Sequence, residues 1–353
     1  MSTNPPAVDV VVTNHNYGRF LPEALESACS QTHPKVHVVV VDDGSTDGSR
    51  DVLRSYADRV EVVLKEQGGQ ASALNAGLER CLGEVLLVLD ADDVLRPQAA
   101  ERVAAAFAAA PELSKVQFPM AIIDAAGTAT GVVKPAGHLR APVGDQRRAE
   151  LAFPFDLPWL PGGGTGFRAE AVRRILPIPE SDYPRSGADW YLVHLTALLG
   201  EAALLEEVCA EYRVHGGNAY ELARDGIDLG HMREAIVFAG ATTRALEALA
   251  DELGLEHPQP ILSCADLANR LVSLRLEPER HPVPGDRRRA LLPDALRAIR
   301  RRFDVSAPMK ALLLAWFALE AVVPRRPARL LAELFLFPGR RAGFNRLLER
   351  WQR

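Results

Sequence analysis

The sequence predicts an α/β fold: a mainly parallel sheet with helices on both faces, followed by a helical C-terminal region. Three observations carry this expectation. Four short apolar runs (Val8 to Val12, Val36 to Val41, Val60 to Leu64 and Val85 to Leu89) alternate with stretches of helical spacing over the first 110 residues. The last run shows no polar alternation, as expected of a strand buried on both faces, and it leads directly into Asp90, Asp92 and Asp93. Beyond about Glu221 the chain is rich in Ala, Leu and Arg, with no strand signal.

In chain order, the first strand ends in Thr13-Asn14-His15-Asn16-Tyr17-Gly18, a polar loop with a glycine suited to ligand contact. Phe20 to Ser30 has helical spacing through Leu21, Leu25, Ala28 and Cys29. The second strand ends in Asp42-Asp43-Gly44-Ser45-Thr46-Asp47, where Thr46 or Asp47 can cap the helix carrying Val52, Leu53 and Tyr56. The third closes on Lys65-Glu66-Gln67-Gly68-Gly69, and Ala71 to Cys81 follows as a small-residue helix. From Lys115 to Val133 two short strands flank Asp124-Ala125-Ala126-Gly127, a hairpin signal. Gly162 to Gly166 either admits a ligand closely or bends a strand. Arg168 to Leu176 reads as a short helix, Pro177 to Gly187 as a mobile loop and Asp189 to Leu199 as a helix. Leu204 to Val214 is strand-like and ends at His215-Gly216-Gly217-Asn218.

Carboxylates gathered beyond a strand's carboxyl end lie where ligands bind in parallel sheets. Asp90, Asp92 and Asp93 repel one another there unless a cation or hydroxyl donors offset them. Hard oxygen ligands suit Mg²⁺ or Mn²⁺, with substrate phosphates completing the shell. Alternatively the last acids cap the next helix, as Asp93 before Pro97 and an Ala-rich run is placed to do. Neither G-x-G-x-x-G nor G-x-x-x-x-G-K-[ST] follows the first strand, which excludes a dinucleotide turn and a P-loop.

The 353 residues allow one large or two modest domains, and 48% hydrophobic with 25% charged content is that of a soluble globular chain. Cys29, Cys81, Cys209 and Cys264 lie far apart, so neither a zinc site nor a disulfide framework is expected. The start of the sequence lacks a basic n-region and an apolar core, which predicts no secretory signal and a cytoplasmic location. His15, His33, His37, His138, His194, His231, His257 and His281 form no metal-binding spacing and read as surface or helix-end residues. The net charge of −5 hides an asymmetry: residues 287–353 carry 16 Lys plus Arg against 5 Asp plus Glu, leaving −16 on the rest. Within that basic tail, Ala311 to Val323 and Leu330 to Phe337 are apolar but shorter than the ~20 residues of a membrane span. With Arg325, Arg326, Arg329, Arg340 and Arg341 beside them, they suit either peripheral contact with an anionic membrane at its inner face or a helical pair packed on the protein.

Val11-Val12-Thr13-Asn14-His15-Asn16-Tyr17, Val40-Val41-Asp42-Asp43-Gly44-Ser45-Thr46-Asp47 and Leu89-Asp90-Ala91-Asp92-Asp93 stand in one order, with Asn75-Ala76-Gly77-Leu78 before the last. Together with Gly163 to Arg168, Gly187-Ala188-Asp189-Trp190-Tyr191-Leu192 and Tyr212-Arg213-Val214-His215, this resembles the family 2 glycosyltransferases of the GT-A (Rossmann-like) fold. The resemblance covers roughly residues 7 to 220. It implies a catalytic domain over 1–220 and a helical, Arg-rich region over 221–353 that contacts acceptor or membrane surface.

The resemblance implies an inverting, metal-assisted transfer of a sugar from a nucleotide-diphosphate sugar, most often a UDP-sugar, to a saccharide or lipid-linked acceptor. Cell-surface polysaccharide or glycoconjugate synthesis is the implied setting, and no nucleic acid partner is expected. Thr13, Asn14 and Asn16 fall in the nucleotide pocket. Asp42 faces the base, and Asp43 either shares that role or serves as a turn acid for the Gly44 and Ser45 amides. Lys65 approaches the diphosphate or stays solvated. Asp90, with Ala91, reaches the ribose side, and Asp92 ligates Mn²⁺ or Mg²⁺. His215 either completes that shell or is a loop residue. Asp189 is the general base, with a helix cap as its alternative role. The usual acid before it is replaced by Ala188. Other classes sharing such a sheet are a sugar nucleotidyltransferase, which would release pyrophosphate, and a catalytically silent nucleotide-sugar binder.

Overall fold

A computed structural model describes residues 5–135, 139–216 and 227–336 of the chain. Phe337, Arg340, Arg341, His138 and the domain boundary drawn near residue 220 lie outside the described residues. The chain forms two compact units. One comprises Met1–Arg147 and Pro158–Asn218, and the other Arg148–Leu157 with Ala219–Arg353.

The first unit begins β1 (Val8–Asn14), α1 (Leu21–Cys29), β2 (Val36–Asp43), α2 (Ser49–Tyr56), β3 (Glu61–Lys65), α3 (Gln70–Leu78) and β4 (Val85–Asp90). It continues through β5 (Val94–Leu95), α4 (Ala99–Ala109), β6 (Leu113–Gln117), β7 (Met120–Asp124), β8 (Ala129–Lys134) and α5 (Arg147–Ala152), the last of which straddles the unit boundary. After a turn at Gly162–Gly164 come β9 (Thr165–Arg168), α6 (Ala169–Ile175), α7 (Ala188–Thr196), β10 (Glu201–Leu204) and β11 (Ala210–Val214).

Seven strands form the main sheet in the order β10-β6-β9-β4-β1-β2-β3. Neighbouring pairs are parallel except where β9 runs antiparallel to both β4 and β6. Val10, Val11, Val12, Val39, Val40, Val41 and Leu86 to Leu89 are all buried, so neither face of the central strands meets water. Because β2 and β4 lie on opposite sides of β1, the chain reverses its strand order there, and a crevice opens past the carboxyl ends of these strands. A smaller sheet, β5-β11-β7-β8, adjoins that edge of the sequence.

The structure adds to the sequence-based expectations in three places. The region from Leu113 to Lys134 holds three strands rather than two, because β6 belongs to the main sheet and only β7 and β8 make the hairpin. Leu204 to Val214 is two strands in different sheets, interrupted at Glu206 and Glu207. Strand β9 hides behind a loop-like glycine: a Cβ at Gly166 would lie 2.4 Å from Val103 Cγ1 of α4, so the close helix-on-sheet contact excludes any side chain. Of the histidines read as surface or helix-end residues, His33 is buried, and His194 lies in the last turn of α7, buried, where it stacks on Trp190 with ring centroids 5.5 Å apart.

The second unit is helical, with α8 (Leu229–Glu252), α9 (Cys264–Leu276), α10 (Arg288–Arg301), α11 (Ala307–Val322) and α12 (Arg325–Leu336). Its core gathers Ile236, Leu267, Leu271, Val272, Ile299 and Phe317. Helices α11 and α12 are joined through Trp316, which stacks on Phe335 at 4.2 Å and donates Nε1–H to the Leu331 carbonyl at 3.1 Å. Arg148–Leu157 contributes Asp156, whose carboxylate accepts the amides of Cys264 and Ala265 at 2.8 Å and so caps α9.

Glu320 of α11 is 0% exposed, and neither of its carboxylate oxygens has a hydrogen-bond partner among the described residues. Burial raises its pKa from an ordinary 4.5 to about 7, with Arg275 opposing the shift. A carboxyl whose folded pKa lies above its unfolded value binds more protons when native. Its contribution is therefore complete below about pH 4.5 and is lost as pH rises through 7. Glu320→Gln is expected to erase that dependence, gaining on the order of 3 kcal/mol over the wild type by pH 8 relative to pH 4.5. Thermal unfolding of both proteins across this window checks it, and parallel stability curves would refute it.

Candidate active site

The parallel register fixes the first line of the site. Asn14 stands opposite Asp42, Thr13 opposite Asp90, and Asp43 opposite Lys65. Four strand ends thereby bring their polar residues into a single row beyond an apolar sheet, where the loops carry the polar sequence.

On the β1–β2 side the polar groups hold one another. Asn14 Nδ2 donates to Asp42 Oδ1 at 2.8 Å and to Ser45 Oγ at 3.0 Å, which leaves the buried Asn14 Oδ1 without a hydrogen-bond partner among the described residues. Asp42 Oδ2 accepts from the Ser45 amide and Arg50 Nε, both at 3.3 Å. Asn16, with φ at 61°, accepts the Thr46 amide on Oδ1 at 2.8 Å. Asp43 does not bond the Gly44 and Ser45 amides. It accepts those of Gly68 and Gly69 at 2.8 and 2.7 Å and the Lys65 ammonium at 2.7 Å. Lys65 is thus committed to Asp43 and to the Glu66 carbonyl. Asp47 takes the Ser49 amide at 2.9 Å at the start of α2, and the Gly18 amide at 2.9 Å.

The β4 end gathers like charges. Asp90 accepts from Thr13 Oγ1 at 3.3 Å, and the Gln70 side chain also favours its charged form. Burial, then the charges of Asp92 and Asp189, push its pKa up to about 7 despite those donors. Burial and the same neighbours, Asp92 and Asp90, hold Asp93 well above the usual carboxylate range. Tyr17 is lifted to about 12 by burial and then by the three aspartates. Ala91 is buried, and its amide bonds the Thr13 carbonyl at 3.1 Å.

His215, just past β11, comes back to this cluster: its Nε2 lies 2.9 Å from Asp92 Oδ2. Tyr17 and Phe20 pack on the imidazole, with centroids 5.5 and 4.8 Å away. Asp189 sits in the first turn of α7, which has Gly187 as its N-cap residue, so its carboxylate is not the helix cap. Oδ2 instead accepts the Gly162 amide at 2.9 Å, and burial raises the pKa against that hydrogen bond. Asp189 and the acidic turn border the same glycine segment: a Cβ on Gly162 would lie 2.7 Å from Asp189 Cβ, and one on Gly163 would lie 3.5 Å from Asp93 Oδ2.

Arg213 escaped the sequence reading, although a lone arginine inside the Tyr212 to Val214 strand is an anomaly that could have marked it. It is buried and ties the acidic turn from behind: its amide donates to Asp93 Oδ1 at 2.9 Å, Nε to the Asp92 carbonyl at 2.8 Å, and its guanidinium to Glu23 at 2.6 Å. Asp93 is therefore a brace between strands rather than a helix cap. Gln70 and Gly162 were likewise not anticipated.

Among the described residues no group of three or more His, Cys, Asp or Glu side chains is arranged to hold a metal ion. Asp92 and His215 supply one hard oxygen and one imidazole at contact distance, beside Asp90 and Asp93, whose pKa values are raised by burial and then by their like-charged neighbours. That donor set fits a Mn²⁺- or Mg²⁺-class cation whose remaining positions are filled by phosphate and water, as Mg²⁺ sites commonly are.

Residues 9–176 match the family model for Glycosyl transferase family 2. An uncharacterized glycosyltransferase of Nostoc sp. is 33% identical over 217 residues, covering 60% of this chain and 66% of that protein. An undecaprenyl-phosphate 4-deoxy-4-formamido-L-arabinose transferase of Pseudomonas syringae is 42% identical over 93 residues, 24% of this chain and 28% of that one. The matches thus take in less than two thirds of either curated relative. Among solved structures, S. aureus TarS 1-349 in complex with UDP-GlcNAc shares the fold at a TM-score of 0.56 and 17% identity, covering 93% of this chain and 91% of that one. Over residues 9–176 the chain carries a glycosyl transferase family 2 domain.

Proposed function

We propose that this protein transfers a sugar from a nucleoside diphosphate sugar to an acceptor hydroxyl with inversion at the anomeric carbon. The observation that carries this reading is the meeting of Asp189 and the strand-end acids at one glycine segment: Asp189 Oδ2 accepts the Gly162 amide at 2.9 Å, and a Cβ on the adjoining Gly163 would lie 3.5 Å from Asp93 Oδ2. Asn14, oriented by Asp42 and Ser45, presents its free Oδ1 as an acceptor for a donor group of the nucleotide, such as a uracil imide N–H. Thr13, Asn16 and Ala91 shape the same wall, while Asp43 and Lys65 set the loop that follows β3. The UDP-GlcNAc bound in the TarS structure and the lipid-linked chemistry named for the Pseudomonas relative favour a UDP-sugar donor and a saccharide or lipid-linked acceptor in cell-surface glycoconjugate synthesis.

Asp189 accepts the proton of the acceptor hydroxyl as that oxygen attacks the anomeric carbon and the bond to the diphosphate breaks. Desolvation makes Asp189 a stronger base than an exposed aspartate, and the Gly162 amide fixes the oxygen that does not take the proton. A divalent cation held by Asp92 and His215 would supply Lewis-acid charge to the departing diphosphate. One base and one leaving group in a single displacement give inversion.

Helices α11 and α12 also leave Leu319, Val322, Leu330 and Leu334 between 40% and 74% exposed, with Arg326 and Arg329 exposed beside them. No helix among the described residues is long and apolar enough to cross a membrane. Apolar side chains rimmed by arginines suit a helix pair resting on an anionic bilayer, and we infer that this surface brings the enzyme to a membrane-held acceptor.

Three measurements check these assignments. Asp189→Asn should lower kcat by about 10²- to 10⁴-fold while donor affinity stays within about threefold; normal turnover would remove Asp189 as the base. Asp92→Ala should abolish the Mn²⁺-dependent part of UDP binding by calorimetry, and equal affinity with and without Mn²⁺ in both proteins would contradict the cation site. Sedimentation with phosphatidylglycerol–phosphatidylcholine vesicles should pull down the wild type at low salt but not the Leu330→Asp/Leu334→Asp variant. Failure to bind, or equal binding to phosphatidylcholine alone, would count against the anionic surface.

A further inference from the structure

Lys115 of β6 is 0% exposed, a costly place for an ammonium unless its charge is matched. Val116 turns into the apolar core, so Lys115 and Gln117 share the opposite face of the strand. There Lys115 Nζ donates to the Val193 carbonyl at 2.6 Å and lies 3.1 Å from the centroid of the buried Trp159 ring. Val193 is in the last turn of α7, where carbonyls run out of intrahelical donors and the helix pole is negative. The aromatic face supplies the second half of the match.

Two pieces of chain that meet at Asp189 are thus tied to one ammonium. Through Val193 it holds α7, which carries Asp189 one turn earlier. Through Trp159 it holds the segment leading to Gly162, whose amide donates to Asp189 Oδ2 at 2.9 Å. Gln117 secures the same segment by accepting the Leu160 amide at 3.1 Å. The other end of α7 is anchored separately by the start of α3: Gln70 Oε1 accepts the Ala188 amide at 3.0 Å. Gly69 lies so near that a Cβ there would come 2.2 Å from the Pro184 carbonyl oxygen. The contacts of Lys115 therefore close a ring through Val193, Asp189, Gly162 and Trp159.

We propose that Lys115 is a positioning residue for the base, fixing α7 against the Trp159–Gly162 segment so that Asp189 keeps its Gly162 hydrogen bond. The proposal rests on the transferase reading above, in which Asp189 takes the acceptor's proton. With the amide in place one Asp189 oxygen is occupied and the other is left for the acceptor hydroxyl. Without the ammonium the two pieces part, Asp189 turns, and it loses a donor that favours its charged form.

Lys115→Met keeps the aliphatic stem and removes the ammonium. By calorimetry it should keep UDP affinity in the presence of Mn²⁺ within about threefold. Its kcat for release of UDP from UDP-GlcNAc, with water as the acceptor, should fall about ten- to a hundredfold at little change in donor KM. The acid limb of the kcat profile should move up by about one pH unit, because a base that has lost its amide donor ionises at higher pH. Hydrogen-exchange mass spectrometry, which needs no turnover, should show faster exchange in peptides spanning 159–164 and no change across β1 to β4. If Lys115→Met does not fold, Trp159→Leu, which retains the Val193 contact, should show the same changes at smaller size. Unchanged kcat and exchange overturn the proposal, as does a fall in kcat with the acid limb unmoved or with UDP affinity lost in parallel. Failure of the transferase reading shows differently, as a wild type that neither binds UDP nor releases it from UDP-GlcNAc.

Discussion

The crevice depends on strand register. Three parallel pairings set Asp43 beside Lys65, Asp42 beside Asn14 and Thr13 beside Asp90, and a parallel ladder that is buried on both faces cannot slip without moving apolar side chains into polar positions. The central valines and leucines are therefore what locate the aspartates. A charge row placed this way is costly, since burial, and then their like-charged neighbours, hold Asp90 and Asp93 above ordinary carboxylate pKa values. The protein holds that unfavourable arrangement in place from behind through Arg213, which satisfies Asp93 and the Asp92 carbonyl together.

The two sides of the crevice are built on opposite principles. On the β1–β2 side every acid has a partner of its own: Asp42 has Asn14 and Arg50, and Asp43 has Lys65 and two glycine amides. Such a wall is rigid and already formed before any ligand arrives. On the β4 side the acids face one another, with His215 near Asp92 as the nearest basic group. A fixed wall suits recognition of a planar base and ribose, whereas an unbalanced cluster suits a ligand that brings its own cation. This division is the physical content of the family assignment for this chain.

Much of this was legible in the sequence, for identifiable reasons. The strands β1, β2 and β4 are continuous apolar runs ending in polar clusters, so local pattern located the sheet and the acids at the end of β4, while the family resemblance singled out Thr13, Asn14 and Asp42. His215 was legible only through that resemblance, and its approach to Asp92 spans more than a hundred residues. What stayed hidden was long-range. The partner of Asp43 is a pair of backbone amides, and β9 carries a glycine because α4 presses against it. Backbone partners and close packing leave no trace in residue type. The stretch from Arg148 to Leu157 carries no local sign of its partners, yet it packs with the helices of the second unit, where Asp156 caps α9.

The contact between Gly69 and Pro184 constrains any attempt to re-engineer the enzyme. The irregular stretch from Pro177 to Gly187 is not an independent module: Asn75 bonds both the N–H and the carbonyl of Ile178, and the Gly69 backbone lies directly under Pro184. A grafted loop would have to reproduce the path of Ile178 and Pro184 over the start of α3, or it would lift that helix and disturb the amides that hold Asp43. Change in this stretch is in this sense channelled by the backbone that holds Asp43.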